Sequence, residues 1–174
     1  MRALLQLARA EAGIGRDSFV AVDVAALLLD FQDMYDALAE DKGVTISVDT
    51  PPDLHIRSHR EIFGQVLSNL IDNALKYGGD QILLSARRSG DRIEIAVADN
   101  GPGIAEERRI EALRRFARLD ASRHISGAGL GLSLASAVAH MHSGTLTLGD
   151  AEPGLRVMLT LPAIDTAQAD SSLA

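Results

Sequence analysis

The sequence predicts an α+β fold in which one mixed β-sheet carries helices on one face. Three observations predict this class. Strand-like and helix-like hydrophobic patterns are interspersed along the chain. Two strand patterns flank Ser89-Gly90-Asp91, which is a strong hairpin signal. A chain of 174 residues that is 47% hydrophobic can bury one sizeable core, and with 3% aromatic residues that core must be aliphatic.

Helical periodicity predicts four helical segments. Asp23 is expected to be the N-cap of the second helix, and Gly43 is expected to end it. Ser58 is expected to cap the third helix, with Glu61 three residues later completing a capping box. The four segments are residues 2–12, Val24 to about Asp41, His59–Tyr77 and Leu130–His142.

Short strands are predicted between these helices from alternating hydrophobicity and flanking turn residues. Residues 100–128 differ, because they are rich in Gly, Arg and Glu with one amphipathic patch at Ile110, Leu113 and Phe116. A segment of that length is typical of a functional or mobile loop. The predicted strands are Phe19–Val22, Val44–Val48, Leu54–Arg57, Gln81–Arg88, Arg92–Ala98, Thr145–Leu148 and Leu155–Leu161.

Composition and charge exclude several classes of function. The chain has no cysteine, which excludes disulfides, thiolate metal sites and cysteine nucleophiles. A net charge of −7 argues against non-specific nucleic-acid binding. The longest apolar run, Val24–Leu29, is too short to cross a bilayer, so a soluble, cytoplasmic chain is expected. Only residues 54–128 are net positive, which reflects either chance or a site for an anionic ligand.

A polar stripe lies on the third predicted helix. Asn69, Asn73 and Lys76 follow one another at i, i+4 and i+7 and therefore share a face. Asparagine is a poor helix former, so two on one face suggest a ligand. Amide oxygens suit Mg²⁺, and a lysine can meet phosphate as a point charge. The alternative is an ordinary solvated face.

Asp99 stands at the end of an apolar strand and begins the run Asp99-Asn-Gly-Pro-Gly103. A carboxylate at a strand end can point into a cleft, and glycines let backbone approach a ligand closely. Taken alone, the run is also compatible with a simple Asx turn.

Gly127-Ala-Gly-Leu-Gly-Leu132 opens the last predicted helix. Backbone N–H groups at such a helix start can hold phosphate oxygens. The run is neither a dinucleotide fingerprint, since no strand precedes it, nor a Walker A loop, since no Gly-Lys-Ser/Thr follows. The alternative is that these glycines only make the loop flexible and bind no ligand.

In order and spacing, the three motifs strongly resemble the ATP-binding catalytic domain of bacterial sensor histidine kinases, within the superfamily shared with gyrase, Hsp90 and MutL. Asn69–Tyr77 resembles the N box, Asp99–Gly103 the G1 box and Gly127–Leu132 the G2 box. Arg115–Asp120 resembles the F box less well, since a second aromatic residue is common at the position of Ala117. The resemblance implies a Bergerat-type ATP-binding fold, a two-layer α/β sandwich with a long ATP lid.

The resemblance implies that ATP and Mg²⁺ are the cofactors. Asn73 would be the Mg²⁺ ligand, Asn69 would support the metal or the phosphates, and Lys76 would contact phosphate. The G2 box would supply the lid hinge and phosphate-facing amides, from Gly127, Gly129, Leu130 and Gly131.

Adenine recognition is implied for the other two motifs. Tyr77 would pack on the adenine, and Asp99 would accept its exocyclic amine and so favour adenine over guanine. Gly101, Gly103 and Ile104 would shape the pocket.

Residues 101–128 would form the lid. Arg118 or Arg123 could reach the γ-phosphate and stabilise the transferring charge. The lid holds six arginines, which are Arg108, Arg109, Arg114, Arg115, Arg118 and Arg123.

The implied reaction is transfer of the γ-phosphoryl group to a histidine. Related ATPases carry a water-activating glutamate where this chain has Asn69, and an amide cannot take a proton, which favours a kinase. None of the five histidines is followed by an acidic residue, as the family's acceptor histidine is; they are His55, His59, His124, His140 and His142. The acceptor is therefore expected on a dimerisation domain absent from this chain.

Three regions follow from the resemblance. Residues 1–14 would be the remnant of the second dimerisation helix, 15–162 the catalytic domain and 163–174 a disordered tail. The fragment is expected to be monomeric, to bind Mg·ATP and not to phosphorylate itself. The full-length kinase would be a homodimer that passes the phosphoryl group to a response-regulator receiver domain; membrane anchoring of the parent stays open. The alternatives are a nucleotide-binding pseudokinase or interaction module, and an anti-sigma-type serine kinase.

Overall fold

The protein is described by a computed structural model that covers residues 19–113 and 131–165. The helices in this part of the chain are α1 (Val24–Glu40), α2 (Arg60–Tyr77), α3 (Glu106–Ala112) and α4 (Gly131–Met141). The strands are β1 (Val20–Asp23), β2 (Thr45–Asp49), β3 (His55–Ser58), β4 (Gln81–Ser89), β5 (Arg92–Asp99), β6 (Thr145–Asp150) and β7 (Leu155–Ile164).

The strands form one seven-stranded sheet in the order β1-β3-β7-β5-β4-β2, with β6 paired to β7. The β2–β4 pair is parallel and the other pairs are antiparallel, so the sheet is mixed, as predicted. The predicted hairpin joins β4 to β5, where Ser89 pairs with Arg92 and Gly90 adopts φ +63°. A left-handed glycine is what such a tight turn requires.

The core lies between one face of the sheet and helices α1, α2 and α4. Ile95 of β5 is paired with Leu159 of β7 and Ala86 of β4, and all three are buried. Facing them, α2 buries Phe63 and α4 buries Leu134. Each fully buried aliphatic side chain stabilises the fold by about 1.5–3 kcal/mol. The predicted two-layer arrangement with an aliphatic core is confirmed.

One predicted helix cap is confirmed and one is wrong. Asp23 caps α1, since its Oδ1 accepts a hydrogen bond from the Ala26 N–H at 3.1 Å. Helix α2 begins instead after His59, which makes no side-chain capping bond. Ser58 is completely buried, and its hydroxyl lies 2.9 Å from Nε2 of His142. A tertiary partner thus replaces the expected local one.

The long loop after β5 is partly helical. Helix α3 covers seven residues and has Glu106 and Glu107 in its first turn, where negative charge favours the helix dipole. The expected amphipathic patch is not confirmed as a unit. Leu113 packs against the core, but Ile110 is 74% exposed and Phe116 lies outside the described residues.

The last strand continues beyond the predicted domain boundary at residue 162. Ala163 and Ile164 pair with Ile56 and His55 of β3. The first two residues of the expected tail are therefore part of the sheet. In the parts of the chain the structure covers, no helix is both long enough and apolar enough to span a membrane.

Candidate nucleotide-binding site

Helix α2 carries the predicted polar stripe beside the first residue of α4. Asn69 and Asn73 are half-buried and Lys76 is exposed, while Leu70 and Ile71 on the opposite side are buried. A Cβ atom added to Gly131 would lie 3.1 Å from Nδ2 of Asn73 and 3.6 Å from Cβ of Asn69. The N box and the end of the G2 box, far apart in the sequence, therefore meet in the fold. Gly127, Gly129 and Leu130 lie outside the described residues.

The side chains of the stripe differ in their bonding. Gln65 Nε2 lies 3.5 Å from Oδ1 of Asn69, a long and weak hydrogen bond. Within residues 19–113 and 131–165, neither the Asn73 amide nor the Lys76 ammonium has a hydrogen-bond or ion-pair partner. Both groups can serve a bound ligand without losing an internal bond.

Asp72, the carboxylate next to Asn73, is bonded to a neighbouring helix. The Tyr35 hydroxyl of α1 donates to Asp72 Oδ1 at 3.2 Å. Burial raises the pKa of the Tyr35 hydroxyl above its usual value; a hydrogen bond with Ser68 lowers the pKa, and the nearby Asp72 carboxylate raises it. The sequence gives no direct signal for this pair, which engages one carboxylate oxygen with α1.

Asp99 lies at the end of β5, half-buried, as the sequence predicts. Its Oδ1 accepts hydrogen bonds from two backbone N–H groups, those of Gly101 at 2.9 Å and Leu155 at 3.4 Å. Among the described residues nothing is bonded to Oδ2. The carboxylate is therefore oriented by one oxygen and offers the other as an acceptor.

Glycines bring three backbone segments together at Asp99, namely the end of α2, residues 99–103 and the turn before β7. A Cβ atom at Gly78 would lie 2.7 Å from Cβ of Asp99, and one at Gly101 would lie 2.6 Å from Cα of Gly78. Gly103, at φ +68°, would place a Cβ 2.9 Å from the carbonyl oxygen of Gly154. Side chains at these positions would collide with backbone, which explains the glycines physically. Neither Gly78 nor Gly154 was among the site residues predicted from the sequence.

Asn100 links the loop after α2 to the end of β5 through two side-chain hydrogen bonds. Its Oδ1 accepts from the Gln81 N–H at 2.9 Å, and its Nδ2 donates to Asp80 Oδ1 at 2.7 Å. Sequence reasoning missed this role. The available signal was an asparagine directly after Asp99, together with the Gly-Gly-Asp run that follows α2 in the sequence.

Two of the six lid arginines are already engaged. Arg108 lies 3.4 Å from Glu111, and Arg109 binds the Ile104 carbonyl at 3.0 Å and Asp150 at 2.5 Å. The other four lie outside the described residues, including Arg118 and Arg123, so their expected contact with the γ-phosphate stays a prediction. Tyr77 is the last residue of α2 and is half-buried beside Gly78.

The donor set suits a metal held mainly by phosphate. The described residues contain no group of three or more His, Asp or Glu side chains that could hold an ion alone. The Asn73 amide supplies a neutral hard oxygen donor with no internal partner among those residues. Mg²⁺ is commonly bound by one or two protein oxygens together with substrate phosphates, so the residues present fit it.

A cavity of about 270 Å³ lies elsewhere, at the far end of α4. It is lined mainly by apolar groups, among them Phe19, Met141 and Leu161. None of the motif residues contributes to it, and its chemistry does not match a triphosphate.

Known proteins match this geometry and sequence. Residues 58–165, more than half of the chain, match the family described as histidine kinase-, DNA gyrase B-, and HSP90-like ATPase. The chain is 37% identical over 172 residues to the signal transduction histidine-protein kinase AfsQ2 of Streptomyces coelicolor. The matched region covers 96% of this chain and 31% of AfsQ2.

Two crystal structures are also similar. Full-length ShkA in complex with AMPPNP has a TM-score of 0.81 and 26% identity, over 94% of this chain and 35% of that one. The ATP binding domain of PrrB from Mycobacterium tuberculosis has a TM-score of 0.68 and 31% identity, over 84% of this chain and 98% of that one. The chain thus spans about a third of AfsQ2 and of ShkA, and nearly all of the PrrB domain.

The chain belongs to this ATPase family, and its fold and relatives are those of the ATP-binding catalytic domains of sensor histidine kinases. The predicted family, the Bergerat-type fold and the ATP-binding character are thereby confirmed.

Proposed function

We propose that this chain holds Mg·ATP for transfer of the γ-phosphoryl group to a histidine on a dimerisation domain that the chain does not include. The observation that carries the proposal is the meeting of the three motifs. Gly131 lies against Asn73, and Gly78 and Gly101 lie against Asp99. A purine acceptor and a phosphate-facing polar stripe therefore belong to one site.

The base is selected by Asp99. Its Oδ1 is held by two backbone N–H groups, so Oδ2 is oriented to accept the exocyclic amine of adenine. Guanine would present a carbonyl oxygen at that position, and two acceptors repel one another. Gly101 and Gly103 leave backbone, rather than side chains, around the base, Ile104 adds an apolar side chain, and Tyr77 packs on the base.

The triphosphate lies along the polar stripe. Asn73 is the protein ligand for Mg²⁺, Asn69 supports the metal or the phosphates, and Lys76 contacts a phosphate oxygen. Gly127, Gly129, Leu130 and Gly131 bring backbone amides to the start of α4, where the helix dipole favours an anion. When bound, Mg²⁺ neutralises charge on the phosphate oxygens.

In the transfer step, an imidazole nitrogen of the acceptor histidine forms a bond to the γ-phosphorus. The bond from that phosphorus to the bridging oxygen breaks, ADP leaves, and the imidazole releases its N–H proton. This chain positions the phosphates, and Arg118 or Arg123 stabilises the transferring charge. The imidazole is its own nucleophile, so little is asked of a protein base.

Water attack is disfavoured by the residues beside the phosphates. Asn69, one helical turn before Asn73, carries an amide that cannot accept a proton. Asp72, the nearest carboxylate on α2, accepts a hydrogen bond from Tyr35 of α1 through Oδ1. The absence of a base at this position supports a kinase over an ATPase.

The rest of the kinase follows from this assignment. Residues 1–14 end the second dimerisation helix, 15–162 form the catalytic domain, and the fragment alone is monomeric and does not phosphorylate itself. The intact kinase is a homodimer that works in the cytoplasm and passes the phosphoryl group to a response-regulator receiver domain.

Calorimetric titration with ATP and GTP, each with and without Mg²⁺, tests nucleotide binding. We expect ATP to bind, Mg²⁺ to strengthen that binding, and GTP to bind at least tenfold more weakly. A folded sample that ignores ATP at millimolar concentration would refute the proposal.

Transfer is tested by rejoining the chain to a dimerisation domain from its own parent and adding labelled ATP. An acid-labile phosphohistidine is the expected product. An acid-stable phosphoserine would indicate an anti-sigma-type kinase instead. ATP binding without any phosphorylated product would indicate a pseudokinase or nucleotide-gated interaction module.

A further inference from the structure

We propose that Arg109 is a positioning residue for adenine recognition. It ties residues 101–105, here called the strap, to Asp150 at the end of β6, and so holds Asp99 in its binding orientation. This inference rests on the proposed function, because it concerns how the same site recognises its base.

Arg109 joins three elements through one guanidinium group. From α3, its Nε donates to the carbonyl oxygen of Ile104 at 3.0 Å, and its Nη2 lies 2.5 Å from Oδ1 of Asp150. The planar fork of arginine allows both bonds at once, which a lysine could not match. The contacts connect α3, the strap and the end of β6.

The arginine of this ion pair is better covered than those of the others. The Arg109 side chain is 16% exposed, whereas its partner Asp150 is 65% exposed. Every other ion pair between described residues has an arginine at least 38% exposed. Arg87 and Asp49 also lie 2.5 Å apart, but their side chains are 66% and 56% exposed. Exposed pairs contribute little because water and salt screen them, so the positioning by Arg109 rests on its largely covered guanidinium and on both of its bonds rather than on the ion pair alone.

The strap is one of the groups that orient Asp99. Gly101, at the start of the strap, donates to Asp99 Oδ1 and packs on Gly78. Gly103, in its middle, lies against the Gly154 carbonyl. A displaced strap would therefore remove one of the two N–H groups that hold the carboxylate.

The β6–β7 turn is the other group, and Arg109 is bonded to the same turn. Asp150 pairs with Leu155, whose N–H donates to Asp99 Oδ1. The turn is closed by a bond from the Ala151 N–H to the Gly154 carbonyl at 3.1 Å. Arg109 thus connects both groups that orient Asp99, through Ile104 on one side and Asp150 on the other.

The proposal predicts an effect on the base rather than on the γ-phosphate. Arg109→Met removes both bonds while keeping an unbranched side chain. We expect the Kd of ATP and of ADP to rise by the same factor, at least fivefold, and the preference for ATP over GTP to shrink by a similar factor. Calorimetric titration of the whole chain measures all three.

Two further variants make the test specific. Asp150→Ala removes only the ion pair, from an exposed carboxylate, and leaves the bond between Arg109 and Ile104. Its effect on the Kd values should therefore have the same direction as that of Arg109→Met and be no larger. The double variant should bind no more weakly than Arg109→Met alone, since that substitution already removes the ion pair. Arg87→Met, in the exposed pair of equal length, should leave both Kd values within twofold.

The outcomes separate this inference from the proposed function. If the wild type fails to bind ATP, the proposed function fails. If the wild type binds and both Arg109→Met and Asp150→Ala stay within twofold, Arg109 is not a positioning residue. If the variants lose affinity for ATP while the Kd of ADP is unchanged, Arg109 is a γ-phosphate contact, which would also overturn the inference.

Discussion

The adenine side and the phosphate side of the site are built in different ways. Around Asp99, backbone segments pack within contact distance, and the carboxylate is held by two N–H groups. Along α2, the side chains of Asn73 and Lys76 have no partner among the residues described. The fold therefore orients the groups proposed to recognise the base before any ligand binds. The side chains proposed to contact the phosphates have no internal partner among the described residues and depend on the ligand for one. Preorganised groups lose little entropy on binding, so the adenine side should dominate affinity.

The largest effect is expected from Asp99→Asn. Only the amide oxygen can replace Oδ1 between the two N–H groups, so the NH₂ group must point where Oδ2 was. A donor then faces the adenine amine. Affinity for ATP should fall by about 100-fold, or ~3 kcal/mol, with the nucleotide-free melting temperature nearly unchanged.

Asp72→Asn is the matched control for that titration, because it makes the same isosteric change at a carboxylate that is bonded to Tyr35 of α1. Its ATP affinity should stay within twofold of the wild type. Undiminished discrimination against GTP in Asp99→Asn would contradict the assigned role of Asp99.

Gly101→Ala tests the close packing of the adenine side. The new Cβ would lie 2.6 Å from Cα and 2.7 Å from the carbonyl carbon of Gly78, and both of these Gly78 atoms belong to backbone that cannot rotate away. We expect a loss of about 1–3 kcal/mol in the free energy of unfolding, measured by denaturant titration, together with weaker ATP binding.

Gly149→Ala is the control, since a Cβ there meets nothing within 4 Å. Its free energy of unfolding should change by less than about 0.5 kcal/mol. Equal stability of the two alanine variants would mean that the approach of Gly101 to Gly78 is not tight.

Asn73→Ala addresses the phosphate side. Removal of the amide should abolish the gain in ATP affinity that Mg²⁺ provides, a loss of about tenfold or ~1.4 kcal/mol. Titrations in Mg²⁺ and in EDTA measure that gain directly. Affinity in EDTA should hardly change, because without Mg²⁺ the proposed role of the Asn73 amide as a metal ligand is already lost. A Mg²⁺-dependent gain equal to that of the wild type would exclude Asn73 as the metal ligand.

The smallest effect is expected from Tyr35→Phe, away from both sides. Burial raises the pKa of Tyr35, so above about pH 10 the unfolded chain loses this proton before the folded protein does. The contribution of the protonated Tyr35 hydroxyl to the free energy of unfolding is complete below about pH 10. It is lost as the pH rises through the pKa of Tyr35 in the folded protein. Phenylalanine does not titrate, so the variant should lose less stability above about pH 10, by under ~1 kcal/mol.

Denaturant midpoints measured between about pH 8 and pH 11 test this expectation. ATP affinity near neutral pH should be the same for Tyr35→Phe and the wild type. An identical pH dependence in the two proteins would show that Tyr35 contributes nothing to it.

Most local features were predictable, because they depend on neighbours in the sequence. Alternation and periodicity located the strands, the hairpin and α1, and the Asp23 cap is a contact across three residues. The i, i+4, i+7 spacing likewise placed Asn69, Asn73 and Lys76 on one face. These patterns arise from backbone geometry and need no knowledge of the rest of the chain.

What the sequence by itself determined was the fold class and the family, and it predicted which residues face a nucleotide. Only the tertiary structure decided that Ser58 bonds His142 rather than capping α2, that Arg109 binds Asp150, and that Gly154 approaches Asp99. The physical reason is that each of these contacts joins segments 41 to 84 residues or so apart. Sheet pairing, not local propensity, brings such segments into contact.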